Sequence, residues 1–197
     1  VKQVKLRPAV FLDRDGTLIV DRGYLSDPEK VRYFSHTFEA LRMLKKEGYL
    51  LVVVTNQSGV ARGYYPESVV NLIHRKIKQD LVKQGAAPHA FFYCPHYPGG
   101  KVKSLGRSCS CRKPKTGMVR QALAVLPIDL KRSFVVGDKM DDLLLSLNAR
   151  MAGGVLVRTG KGRASERELK KKPIPRTWVA SNLKQAAKKI LSLGESQ

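Results

Sequence analysis

The sequence predicts an α/β protein built on an open parallel sheet with helices on both faces. Three observations point there. Five short β-branched or aromatic runs, "AVFLD", "LLVVVTN", "AFFYC", "SFVVGD" and "GGVLVRTG", are bounded by turn residues and read as buried parallel strands. Segments with apolar residues at helical spacing separate them, which is the pattern of strand and helix in alternation. Polar groups capable of chemistry follow the strands, where open parallel sheets bind ligands.

Taken in order, the first strand runs into Asp13 and Asp15 of "FLDRDGTL". Phe38, Leu41, Met43 and Leu44 mark a helix stopped by Gly48, and "LLVVVTN" ends in Thr55 and Asn56. Val69, Val70, Ile73, Ile77 and Leu81 recur at helical spacing after Pro66, whose fixed φ suits a first-turn position. "AFFYC" leads to Cys94, and "SFVVGD" ends in Asp138 before a helix carrying Leu143, Leu144 and Leu147. Trp178 in "TWVAS" is expected at the end of a last strand, and "NLKQAAKKILSL" reads as an amphipathic helix covering the sheet. The charges of "RTGKGRASERELKKKPIPR" read as a solvated tail. His36, His74 and His89 stand alone and read as helix or turn residues. No internal repeat is visible.

With 197 residues, 43% of them hydrophobic, the chain can bury one sizeable core, so one domain spanning 1–197 is expected. No apolar run approaches the roughly 18 residues of a membrane span, and "VKQVKLRP" lacks the apolar stretch of a signal peptide. A cytoplasmic protein with no membrane association is expected. The 37 basic and 16 acidic residues give a net charge of +21, which draws anions without choosing among phosphorylated metabolites, nucleic acid and anionic lipid. No stacking aromatics are interleaved with the charge, so nucleic acid is the less favoured partner.

Asp13 and Asp15 pose a physical problem at the end of a buried strand. Two neighbouring carboxylates repel unless a cation sits between them or one keeps its proton. Magnesium suits the first solution, since it takes hard oxygens and leaves room for a substrate phosphate. Asp138, arriving from another strand, would supply a further negative ligand. A carboxylate fixed in this way is also a nucleophile toward phosphorus, the role expected of Asp13. Asp15 would protonate the departing oxygen and then deprotonate the attacking water.

A second constellation uses all three cysteines. Cys94-x-His96 and Cys109-x-Cys111 present four ligands suited to a structural zinc ion. The intervening "YPGGKVKSLGRS" is polar and glycine-rich, so it needs such a pin. The pin would also fix Arg112 and Lys113, which follow directly. The zinc loop is expected to span 94–111.

The motifs "DRDGT", "TNQ", "RKP" and "VGDKMDD", in that order, resemble the four motifs of the haloacid dehalogenase (HAD) superfamily of phosphohydrolases. The resemblance implies a Rossmann-like sheet, Mg2+ bound by Asp13, Asp138 and the backbone carbonyl of Asp15, and phosphate held by Thr55 and Lys113. A hydroxyl at Thr55 and a point charge at Lys113 suit that task. The superfamily often adds a cap domain, but no insertion of that size is visible. A capless monomer is expected, covered by the zinc loop and "VDRGYLSDP".

The zinc loop, with "VDRGYLSDP" and "TNQSGVARG", is similar to the bacterial D-glycero-D-manno-heptose 1,7-bisphosphate phosphatases over Phe11 to about Gly160. That resemblance implies removal of a 7-phosphate on the way to nucleotide-activated heptose for surface polysaccharide. It places Asp21, Arg22, Gly23, Tyr24, Asn56, Gln57, Ser58 and Arg112 against substrate, with Lys139 beside it. Arg112, Lys139 and Arg62 are candidate cations for the second phosphate, although Arg62 reads equally as a surface residue. Asp142 matches the second acidic position of its motif, orienting Lys139 or a metal-bound water, while Asp141 favours the helix N-terminus. Histidinol-phosphate phosphatases are also similar but tend to carry Asp where this chain has Ser58. A nucleic-acid 3′-end phosphatase is the alternative suggested by the charge.

Overall fold

A computed structural model describes residues 5–194; the ends of the expected 1–197 unit, 1–4 and 195–197, lie outside the described residues. Six parallel strands form one sheet: β1 (Arg7–Leu12), β2 (Leu50–Asn56), β3 (Ala90–Cys94), β4 (Ile128–Gly137), β5 (Gly153–Val157) and β6 (Thr177–Ala180), in the order β3-β2-β1-β4-β5-β6. Parallel neighbours require crossovers, and a helix supplies each: α1 (Thr37–Lys46), α2 (Glu67–Lys83), α3 (Gly117–Val125), α4 (Met140–Asn148) and α5 (Gly162–Lys171), with α6 (Leu183–Gly194) following β6. The chain winds outward from β1 to β3 and then returns to place β4 on the other side of β1. The reversal falls between β1 and β4, where ligands bind in sheets of this kind.

Both faces of the sheet are covered, so the strands carry continuous apolar runs instead of alternating ones. Val10 and Leu12 of β1 pack with Leu41, Ile73 and Ile190 of α1, α2 and α6. Ala9 and Phe11 point the other way, toward Met118 and Val119 of α3 and Leu145 of α4. As expected, α6 buries Leu183, Ala186, Ala187 and Ile190 against the sheet. Among the described residues the longest strand-to-helix connections, 13–36, 57–66 and 95–116, are loops, the first containing a 3-10 turn at Pro28–Lys30. No helix among the described residues is long and apolar enough to cross a membrane.

Three local expectations are corrected. The charged segment expected to be a solvated tail contains α5, which buries only Gly162 and Ser165 and packs Leu169 against Leu143, Leu156 and Ile174. So little apolar surface on so many charges hides the helix from a periodicity reading. Pro66 is the residue before α2, at ψ 159, and not part of its first turn. Trp178 lies inside β6, with its ring 6.4 Å from that of Phe134. The histidines are structural, as expected: His89 Nδ1, for example, accepts the Leu51 N–H at 3.0 Å.

β4 starts earlier than its apolar run, because it pairs with β1 across an irregularity. Pro8 faces Asp129 while Val10 faces Phe134, which leaves Ala9 opposite a bulge. Ser133, fully buried, fills the gap: its Oγ accepts the Ala9 N–H at 2.9 Å and donates to the Asp129 carbonyl. Ser133→Ala would strand a buried N–H, and we expect it to cost about 1–3 kcal/mol of stability. Urea denaturation measures this, and an unchanged midpoint would show that the hydroxyl does not hold the bulge together.

Candidate active site

Three buried carboxylates meet at the reversal of strand order. Asp13 extends β1 by one residue, its N–H donating to the Val136 carbonyl at 2.9 Å. Asp138 follows the end of β4, and Asp142 lies one turn into α4. One oxygen from each of the three lies within 4.8 Å of the others. Two lysines answer them. Lys113 Nζ lies 2.7 Å from Asp13 Oδ1 and 2.6 Å from Asp142 Oδ1, and donates to the Val54 carbonyl at 2.8 Å. Lys139 Nζ lies 3.1 Å from Asp138 Oδ1 and 3.5 Å from Asp13 Oδ2.

Burial opposes ionisation of Asp13, but Lys113 and Lys139 outweigh it and hold the carboxyl down at about 2. Asp138 responds differently. Burial first, and then the Asp13 charge, pushes it up to about 7, against the pull of Lys139 and the Lys161 N–H. Three carboxylates facing two ammoniums are short of positive charge, and all their donor atoms are hard oxygens. That donor set fits a magnesium ion. Asp142 is already committed to Lys113 and to the Lys139 N–H, at 3.1 Å, which leaves Asp13 and Asp138 as the side chains to hold it.

Close packing keeps this arrangement in register. Gly16 has φ +86, and a Cβ there would lie 2.3 Å from Asp138 Oδ2, so only glycine fits. Gly160 packs against the same carboxylate, and the Thr159 hydroxyl donates to the Gly16 carbonyl at 2.6 Å. Beyond it the Lys161 N–H donates to Asp138 Oδ2 at 2.8 Å, and Ser165 Oγ donates to the Asp138 carbonyl at 2.8 Å.

Asp15 is anchored separately. Arg14, only 1% exposed, pairs with it at 2.9 Å, and Gln57 Nε2 donates to it at 2.9 Å. The same Nε2 lies 2.9 Å from Thr55 Oγ1, while Gln57 Oε1 accepts from Arg14 at 2.9 Å. Gln57 thus lies behind the site and aligns Asp15 with Thr55. Asn56 clamps Lys113 by its backbone, accepting its N–H at 3.0 Å and donating to its carbonyl at 3.2 Å.

The four zinc-ligand candidates converge. Sulfur separations are 3.1 Å for Cys94–Cys111 and 3.4 Å for both Cys94–Cys109 and Cys109–Cys111, and Cys111 Sγ lies 3.4 Å from His96 Nδ1. A tetrahedral zinc with Zn–S of about 2.3 Å sets sulfurs about 3.8 Å apart, so a small expansion accommodates the ion. Three thiols and an imidazole are the ligand chemistry of a structural zinc site. The Arg112 N–H donates to Cys109 Sγ at 3.3 Å, so the cluster grips the backbone one residue before Lys113.

Above the carboxylates lies a cleft of about 430 Å³, lined by Asp13, Asp15, Thr55, Lys113 and Lys139 at its floor and by Asp21, Gly23, Tyr24, Asn56, Ser58 and Arg112 higher up. Arg22 is exposed and does not line it. Arg62, which read equally as a surface residue, lines the cleft, as does Asp141. Sequence reasoning missed Arg14, Tyr97 and Lys161. The first is marked by its place between two aspartates, but nothing in the local pattern of the other two signals a ligand.

Residues 110–186 match the family model described as HAD-hydrolase-like. D-glycero-beta-D-manno-heptose-1,7-bisphosphate 7-phosphatase of Pasteurella multocida (strain Pm70) is 44% identical over 156 residues, covering 79% of this chain and 84% of that protein. The enzyme of the same name from Escherichia coli (strain K12) is 42% identical over 161 residues, covering 82% and 84%. The crystal structure of D,D-heptose 1,7-bisphosphate phosphatase from B. bronchiseptica, complexed with magnesium and phosphate, is similar with a TM-score of 0.81 at 32% identity, covering 94% of this chain and 99% of that one.

Two predictions follow from the paired metal sites. A carboxyl raised from 3.8 to about 7, as Asp138 is, contributes stability that is present below its unfolded value and is lost as pH rises through about 7. Asp13, lowered to about 2, loses its contribution only as pH falls through that value. Magnesium should therefore raise the melting temperature more at about pH 8 than at about pH 5, measured by scanning calorimetry after chelation; equal shifts would contradict the charge deficit. Elemental analysis of the purified protein should find about one zinc per chain, lost in Cys111→Ala.

Proposed function

This chain belongs to the family of D-glycero-beta-D-manno-heptose-1,7-bisphosphate 7-phosphatases, a branch of the HAD-like hydrolases, and from that membership we propose that it hydrolyses the 7-phosphate of D-glycero-β-D-manno-heptose 1,7-bisphosphate. The product would serve nucleotide-activated heptose synthesis for surface polysaccharide. The observation that carries the chemistry is Asp13: a buried, ionised carboxylate 2.7 Å from the Lys113 ammonium, at the floor of a cleft lined with cations.

In this reading Asp13 attacks phosphorus, the bond to the sugar 7-oxygen breaks, and an aspartyl phosphate forms on Asp13. Asp15 gives its proton to the departing oxygen and then takes one from water, which attacks the same phosphorus and frees Asp13 and inorganic phosphate. Lys113 and the Thr55 hydroxyl hold the phosphoryl oxygens as charge develops on them. Gln57, bonded to both Asp15 and Thr55, keeps the proton carrier and the phosphoryl anchor in alignment. Magnesium would be held by Asp13 and Asp138, with the Asp15 backbone carbonyl that the family resemblance implies, and would supply positive charge that offsets phosphate against carboxylate. Cys94, His96, Cys109 and Cys111 would hold a zinc ion, which would fix the segment that carries Arg112 and Lys113.

We infer that the chain works as a monomer and needs no nucleic-acid partner. Ser58 is neutral and Arg62 basic where they line the cleft, which favours an anionic sugar over the cationic amine of histidinol phosphate. Asp13→Asn should lower turnover by more than roughly 10³-fold with its circular dichroism unchanged, since it removes the nucleophile and a magnesium-holding carboxylate but keeps the shape of the side chain. In a phosphate-release assay, kcat/KM for the heptose bisphosphate should exceed that for histidinol phosphate by at least about tenfold. The reverse order would sink the substrate assignment.

A further inference from the structure

The cations of the cleft fall into two sets. Lys113 and Lys139 are engaged by Asp13, Asp138 and Asp142. Arg62 and Arg112 are not engaged in this way; among the described residues neither forms an ion pair. Both guanidiniums instead lie against a single ring, that of Tyr97, with Arg62 Cζ 3.7 Å and Arg112 Cζ 5.2 Å from its centre. Three segments meet there: Arg62 comes from the connection between β2 and α2, Tyr97 follows His96, and Arg112 follows Cys111. The ring of Tyr24, 5.9 Å from Arg62 and edge-on to Tyr64, closes the far side.

A guanidinium stacked on an aromatic face can still present N–H groups to a planar anion; Arg112 spends one donor, Nη1, on the His96 carbonyl at 3.4 Å. Arg62 Nε is buried and has no hydrogen-bond partner. Two like charges sharing one ring also repel, and an anion between them relieves the repulsion, just as a cation relieves the carboxylates below. The cleft therefore has a cation-seeking floor and an anion-seeking wall.

We propose that Tyr97 is a platform that holds Arg62 beside Arg112 as a clamp for the phosphate that is not transferred, so that Arg62 and Tyr97 set the preference for a sugar bisphosphate over the monophosphate. This rests on the reading of the chain as a sugar-bisphosphate phosphatase. The clamp acts on binding and takes no part in the chemical step, so its loss falls on KM more than on kcat.

The test compares heptose 1,7-bisphosphate with heptose 7-phosphate, and fructose 1,6-bisphosphate with fructose 6-phosphate, as two substrate pairs. Arg62→Ala, with Arg62→Gln as the second variant, should lower kcat/KM for the bisphosphate by about tenfold to a hundredfold through KM, and shrink its advantage over the monophosphate by the same factor. Tyr97→Leu should act in the same direction, while Tyr97→Phe keeps the platform and the preference. Unchanged zinc content shows that the loop is intact in each variant. Arginine variants that slow both members of a pair equally, or a Tyr97→Leu protein with wild-type preference, would overturn the clamp. So would a wild-type protein that favours the bisphosphate in neither pair. Wild-type preference in the fructose pair, with no turnover of either heptose, would refute the heptose assignment and leave the clamp supported by its variants.

Discussion

The structure depends on the three-way bond of Lys113. A buried ammonium is costly unless its charge and protons are answered, and here Lys113 donates to Asp13 and to the Val54 carbonyl and forms an ion pair with Asp142. Those partners come from the end of β1, the end of β2 and the start of α4. Lys113 therefore ties three separate elements across the reversal of the sheet, while its charge keeps Asp13 ionised where burial alone would protonate it. Removing either partner would leave the other uncompensated, which is why Asp13 and Lys113 form one unit.

Lys113 belongs to no regular element, so its position must be imposed from outside. Two supports act on its backbone from opposite sides. Asn56 grips its N–H and its carbonyl, carrying the precision of β2 into the loop. The Cys/His cluster holds Cys109 and Cys111 and, through the Cys109 sulfur, the N–H of Arg112. The loop between the ligand pairs also has a foothold of its own, since the Val102 N–H donates to the Ala61 carbonyl at 2.9 Å. The Cys/His cluster thus positions Lys113 from outside the carboxylate floor.

The strand pattern and the residues after each strand made the sheet and the convergence of Asp13 and Asp138 legible from sequence. Continuous apolar runs identify strands buried on both faces, and a carboxylate directly after such a run has no bland purpose when another arrives from a second strand. The cysteines were legible for a different reason: every one of them falls in a single polar segment beside His96. What stayed hidden depends on tertiary contact. α5 buries so little apolar surface that its charges read as a tail. The role of Arg14 emerges only where Asp15 and Gln57 surround it, and Gln57 reads as a substrate contact until its amide is seen to be consumed by Asp15, Thr55 and Arg14. Ser133 gains its role only from a bulge that no local pattern announces.

The contact between Gly16 and Gly160 has a consequence for traffic through the molecule. The loops after β1 and β5 meet over Asp138 with no room for a methyl group, and the Thr159 hydroxyl joins them. This rim is a closed seam. Away from that seam the cleft is lined by the loop bearing Tyr24 and the loop bearing Tyr97. The approach on that side passes Arg62 and Arg112, so an anion meets positive charge before it reaches the buried carboxylates.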